Sequence, residues 1–198
     1  MGLSREFFRR DTLTVARELL GQRLVRRYED GSVSVGLIVE TEGYCGYRDA
    51  ACHSYKGKTE RTWVMFGEKG FAYVYLIYGM YHCLNVTSGL PDEPEAVLIR
   101  ALEPVEGISG MEERRGQTRI KNLCSGPGKL CIAMDVNRGH NGLDLTGNES
   151  LSIEGGITPV HITASKRINI GYAGEAVDYL WRFSVTGNPY VSVKPKIG

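Results

Sequence analysis

The chain has 198 residues, a formal net charge of +1, 42% hydrophobic residues and 24% charged ones. That length suits one globular core, and the near-neutral balance excludes a chain whose overall field would select its partner. No apolar run approaches the ~20 residues that span a bilayer, so no membrane partner is expected.

Ser4 is placed to cap a short first helix through Arg10. Asp11 can cap a second, over Thr12 to Leu20, ended by Gly21. Leu13, Ala16, Leu19 and Leu20 share one face of it, which should pack on the core. Residues 1–28 hold seven Arg against three acids, a pattern that fits a local phosphate-binding surface or a solvated helix face. Gln22 to Tyr28 and Val33 to Thr41 read as strands around an Asp30-Gly31 turn. Successive apolar residues at Leu37, Ile38 and Val39 predict burial on both faces. Gly43 to Thr62 is a long loop with one helical turn near Ala50; loops of that length are functional or disordered.

Phe71 to Tyr78 and Tyr81 to Thr87 read as strands broken at Gly79. Ala96 to Leu102 is a buried strand that contains Arg100, and Val105 to Arg115 can form a helix. Ser125-Gly-Pro-Gly-Lys-Leu130 opens the next helix, with Ser125 as cap and bare N–H groups that could take an anion. Leu143 to Gly156 resembles hairpin material and Val160 to Ala164 a strand. Arg182 to Val185 and Val191 to Val193 are expected to pair around Gly187-Asn188. The expected fold is an α+β single domain with a curved, largely antiparallel β-sheet, partly barrel-like, flanked by short helices.

The chemistry gathers between Leu37 and Asn85. Glu40 and Glu42 are two apart and share a strand face. A carboxylate buried at a strand end beside aromatics can serve as a general base, or it can simply pair with an Arg. Arg100, also in an apolar strand, is the partner for either role. Tyr44, Tyr73 and Tyr75 could line a pocket for a flat ligand, although strand aromatics are more often core. Tyr78 before Gly79 has the form of a wedge that could enter a base stack. Cys52-His53 and His82-Cys83 match no common metal spacing, so no metal or other cofactor is expected. Five Cys without a C-x-x-C, and no apolar h-region in Met1 to Leu13, fit a reduced intracellular protein without a signal peptide.

At these residues the sequence resembles the alkyladenine (3-methyladenine) DNA glycosylase family. The segments that carry the resemblance are Val39-Glu-Thr-Glu-Gly-Tyr44, Ala50-Ala-Cys-His-Ser54, Tyr73-Val-Tyr-Leu-Ile-Tyr-Gly-Met-Tyr81 with Asn85, Val97-Leu-Ile-Arg-Ala-Leu-Glu-Pro104 and Ser125 to Leu130. The resemblance implies one DNA glycosylase domain over residues 1–198, monomeric and monofunctional. Its partner would be double-stranded DNA containing damaged purines, and it would be cytoplasmic, nucleoid-associated in a bacterium or nuclear in a eukaryote. It implies Glu42 as the base that activates water, with Arg100 holding it. Tyr44, Ala51, His53, Tyr75 and Asn85 would form the base pocket, Tyr78 would fill the gap in the duplex, and Met80 and Tyr81 would lie beside it in the minor groove. Gly43, Tyr47-Arg48, Glu60 and Thr62 depart from the family pattern. Two rivals share these residues: a binding module without catalysis, and an O-glycosidase that uses Glu40 and Glu42 as its acid and base.

Overall fold

The computed structural model describes residues 2–195; the two ends of the expected 1–198 domain, Met1 and residues 196–198, lie outside the described residues. Helices α1 (Arg5–Phe8) and α2 (Thr12–Glu18) come first. The Asp11 carboxylate caps α2 by accepting from Thr14 N at 2.9 Å, as its position predicts, whereas Ser4 makes no side-chain cap at α1. Strands β1 (Arg23–Arg27), β2 (Val33–Tyr44), β3 (Ala72–Ile77), β4 (Tyr81–Ser88) and β5 (Glu95–Glu106) follow. Then come α3 (Ile108–Arg115), α4 (Pro127–Ala133) and strands β6 (Leu151–Glu154), β7 (Ile162–Ser165) and β8 (Arg182–Val185).

The sheet is antiparallel and runs β3-β4-β5-β2-β1-β6, with β8 joining β2 and β7 joining β8. It stays open rather than closing into a barrel. Strand β2 is the hub: β1 pairs with Val33 to Leu37, and β8 takes over at Glu40 to Glu42. The exchange falls where the β2–β5 register slips on both sides of Glu40. A bulge bends a strand and re-aims its side chains, and here it aims Glu40 and Arg100 at each other.

Three further sequence expectations are corrected. Strand β5 continues to Glu106, so the helix begins at Ile108 rather than Val105. Within 143–156 only Leu151–Glu154 forms a strand, and it pairs with β1 instead of folding back locally. Strand β8 takes β7 as its partner, so the 182–193 hairpin does not form. Five of the seven arginines in residues 1–28 make ion pairs, in keeping with the solvated-face alternative: Arg5 pairs with Asp144, Arg9 with Glu6 and Glu68, Arg10 with Glu18, Arg26 with Asp135 and Arg27 with Glu154. The strand pairings β6–β1 and β8–β7 join segments separated in the chain, which local propensity does not encode.

The main core lies between the sheet and the helices, with Phe8, Leu19, Leu20, Leu24, Ile38, Leu84, Ile99, Leu102 and Met111 fully buried. Two smaller clusters sit under the 45–66 loop, and Tyr44 packs against both. Gly43 lies close to α2: a Cβ there would stand 2.7 Å from Leu13 Cδ2, the end of a side chain that would have to shift.

Gly107 turns β5 into α3 at φ 69°, with the position of a Cβ only 2.2 Å from the Val33 carbonyl oxygen. Both the left-handed backbone and the rigid neighbour oppose a side chain. Gly107→Ala is therefore expected to cost more than ~2 kcal/mol in urea unfolding; an unchanged midpoint would contradict this account of the turn.

Candidate active site

Strand β2 ends in Glu42-Gly43-Tyr44, and the bulge before it fixes where the two acidic side chains point. Glu40 and Glu42 are both fully buried. Arg100 donates to both, from Nε to Glu40 Oε1 and from Nη1 to Glu42 Oε2, each at 3.2 Å. Their remaining partners differ. Glu40 Oε1 also accepts from Arg182 Nη1 at 2.9 Å, and Oε2 accepts from Ser192 N at 2.6 Å. Glu42 Oε1 accepts from Ile168 N at 2.8 Å, and Oε2 from the Tyr44 hydroxyl at 2.8 Å. Glu40 is thus locked among strand-borne cations. Glu42 is held by groups that border a cavity.

That cavity measures ≈ 570 Å³. Tyr44, Ala51, His53, Tyr75, Asn85, Arg100, Tyr78 and Tyr81 all line it, so most of the sequence-nominated residues converge there. Glu42 does not reach its surface and stands behind Tyr44 and Arg100. Met80 lies on a second, smaller groove with His82, Arg114 and Asp135.

The walls are mutually braced aromatics. His53 stands edge-on to Tyr75, ring centres 4.7 Å apart, and Tyr73 lies 5.3 Å from Tyr75. The Tyr73 hydroxyl bonds His53 Nδ1 at 2.9 Å, so Tyr73 belongs to the cavity wall and not only to the core, as strand aromatics are usually read. Burial, with Arg61 nearby, pushes the His53 pKa down to about 4, so the imidazole is neutral. Burial also holds the Tyr44 and Tyr75 hydroxyls protonated, their pKa values raised well above 10.0. Asn85 gives Nδ2 to the Tyr73 carbonyl at 3.0 Å, which fixes the orientation of its amide in the cavity.

Tyr78 sits on a tight hairpin. Met80 N donates to Ile77 O at 3.2 Å across Tyr78 and Gly79, both at positive φ (53° and 68°). Glycine takes that backbone freely, whereas a tyrosine there is strained by ~1–3 kcal/mol. Tyr78 is 73% exposed and Met80 67% exposed, so no packing contact compensates the strain. Gly128 of the Ser-Gly-Pro-Gly segment supports the hairpin, since a Cβ there would meet Tyr81 at 3.0 Å. Helix α4 is capped by Gly126 with no side-chain bond, so the role visible for this segment is close packing.

One supporting element escaped sequence reasoning. Asp49 and Arg167 form a fully buried two-armed ion pair at 2.5 and 2.8 Å. Arg167 also donates to the Gly43 carbonyl, and its guanidinium carbon lies 4.8 Å from the Tyr44 ring centre. The pair ties the 45–54 loop to residues 167–172, of which Ile168, Asn169, Ile170 and Tyr172 line the cavity. The available signal was a single Arg in a glycine-rich stretch, too common to select. Arg61, 4.7 Å from the Tyr75 ring centre, was likewise not singled out.

The model describing the family Methylpurine-DNA glycosylase (MPG) matches residues 6–189. A protein of Alkaliphilus oremlandii is 48% identical over 203 residues, covering 98% of this chain and 100% of that protein. One of Bacillus cereus is 51% identical over 201 residues, covering 95% and 97%. One of Methanocella arvoryzae is 49% identical over 191 residues, covering 96% and 95%. All three carry the name "Putative 3-methyladenine DNA glycosylase".

The low His53 pKa sets a pH dependence of stability. The unfolded imidazole binds a proton near pH 6.5, and the folded one only near about 4. Between those values the unfolded chain holds more protons, so this contribution is full above pH 6.5 and is lost as pH falls toward 4. His53→Gln should lose less stability than the parent chain between pH 7.5 and pH 5, read as urea midpoints; equal losses would assign His53 no such role.

Proposed function

This chain belongs to the methylpurine-DNA glycosylase family, and on that premise we propose that it removes damaged purines from duplex DNA by swinging the nucleotide out and hydrolysing its N-glycosidic bond. The observation that carries this reading is the Glu42 carboxylate held by Arg100, Tyr44 and Ile168 directly behind an aromatic-walled cavity. The chain acts as one monomeric glycosylase domain wherever the cell keeps its DNA.

A purine cannot be attacked inside a duplex, so the base must leave the stack at a cost of a few kcal/mol. Tyr78, strained and exposed beside the cavity, enters the gap, while Met80 and Tyr81 rest on the minor groove. The base enters between Tyr44, Tyr75 and His53, with Ala51 leaving room at the wall and the Asn85 amide crowding an exocyclic 2-amino group. A carboxylate offers about four acceptor positions. Three on Glu42 are already filled by protein donors, which leaves room for one water. That water attacks C1′, its proton passes to Glu42, and the C1′–N9 pair departs with the purine.

Both rivals fit less well. A module that only bound DNA would gain nothing from a buried carboxylate held behind its binding cavity. An O-glycosidase needs its acid and base across the sugar, whereas Glu40 and Glu42 grip one guanidinium from the same strand and both Glu40 oxygens are taken by Arg100, Arg182 and Ser192 N.

Glu42→Gln should retain binding to a duplex with a single lesion and lose base release by at least ~100-fold in single-turnover assays; near-normal release removes Glu42 from the chemistry. Tyr78→Ser should weaken lesion binding and the fluorescence signal of base extrusion about 10-fold, with less effect on release at saturating protein. Unchanged extrusion would refute the wedge.

A further inference from the structure

Hydrolysis of a purine nucleotide places an electron pair on the leaving base. A purine alkylated at N3 or N7 starts as a cation and leaves neutral. Hypoxanthine and other neutral lesions start uncharged and leave as anions, so they need either an acid or a positive charge beside the base. The cavity holds no acid fit for this. Glu40 is fully buried, with both oxygens bonded to Arg100, Arg182 and Ser192 N. His53 is already neutral, with its pKa near about 4. The Tyr44 hydroxyl is spent on Glu42. Arg100 is a cation on the wall, but it is committed to two carboxylates.

Arg61 is different. Its guanidinium carbon lies 4.7 Å from the Tyr75 ring centre, and it lines the cavity. Among the described residues no carboxylate lies within ion-pair distance of it: the ion pairs of this region engage Arg48, Arg100 and Arg167. Its field reaches inward, since after burial it is the other contributor holding the His53 pKa down.

We propose that Arg61 is a specificity-determining residue whose charge favours neutral purine lesions over cationic alkylated ones. This rests on the glycosylase reading above. A base stacked on Tyr75 at ordinary ring separation lies within about 9 Å of that charge whichever face it takes. At such a distance, near a protein surface, one unit of charge shifts a rate by roughly ten-fold. The chemical step is balanced in the same way for both classes. Water oxygen bonds to C1′, the C1′–N9 bond breaks with its pair passing to the purine, and Glu42 takes the water proton. A purine anion is then protonated by solvent. The charge on the base falls by one in each case, so Arg61 assists the chemical step from the swung-out state equally. The two classes differ on entry. A neutral base enters without charge penalty and gains the full stabilisation of its developing anion. A cationic base is repelled on entry, and the later gain only cancels that repulsion.

The test compares hypoxanthine and 7-methylguanine in otherwise identical duplexes. Base release is followed at subsaturating protein, so that each rate reports the transition state relative to the free reactants. Arg61→Gln is expected to lower the hypoxanthine to 7-methylguanine rate ratio by about ten-fold, and Arg61→Lys to keep it within about three-fold of the parent value. A parallel fall on both lesions, or a lysine variant that behaves like the glutamine one, overturns the proposal, since phosphate contact or wall packing would affect both lesions alike. Release of neither base by the unaltered protein refutes the glycosylase reading itself.

Discussion

Everything at the candidate site depends on keeping two carboxylates and two guanidiniums out of water together. Glu40, Glu42, Arg100 and Arg182 are almost fully buried, and their formal charges cancel. Isolated charges of this kind would each cost several kcal/mol, and removing one partner from a buried pair typically costs about 3–5 kcal/mol. The network therefore tolerates little rearrangement. It spans β2, β5 and β8, so the same bonds that orient Glu42 also hold the strand hub where β8 replaces β1. The Asp49–Arg167 pair repeats the device one layer out and fixes the loop that carries Ala51 and His53.

Rigidity behind the cavity contrasts with its mouth. The Tyr78 hairpin is exposed, strained at φ 53° and supported mainly where Gly128 lets α4 approach Tyr81. Strain persists where the surrounding structure over-determines it, and a β3–β4 ladder running from Ala72 to Ile77 does so here. The fold thus sets an exposed hairpin at the rim of the cavity and a fully bonded carboxylate behind it. Of the two arginines that line the cavity, Arg100 is paired with carboxylates, whereas Arg61, over Tyr75, has no partner carboxylate among the described residues.

Local signals served well where the chain interacts with itself over short spans. The Asp11 cap, the β1–β2 turn and the β3–β4 hairpin around Gly79 formed as their residues indicate. They failed where a partner lies far away in sequence. Strand β6 chose β1 across more than a hundred residues, and β8 chose β2 and β7 over the nearer 191–193. The departures from the family pattern divide along the same line. Gly43 approaches the Leu13 side-chain tip, and Arg48 reaches Asp11 and Glu95. Thr62 bonds Thr59 in a local turn, and nothing explains Glu60.

By itself the sequence determined the α+β class, the strand end that carries Glu42 and Tyr44, the Tyr78 turn and the family resemblance, because period, turn chemistry and motif spacing are properties of neighbouring residues. Only the tertiary structure decided that Glu40 is sealed behind Arg182 while Glu42 backs onto the cavity, since the two acids are equivalent on an isolated strand. It also decided that Tyr73 is a wall, that Arg167 braces Tyr44 and that Arg61 lies over Tyr75. Those roles depend on distance and burial between segments as much as 142 residues apart, as in the Arg182 bond to Glu40, and no local pattern encodes them.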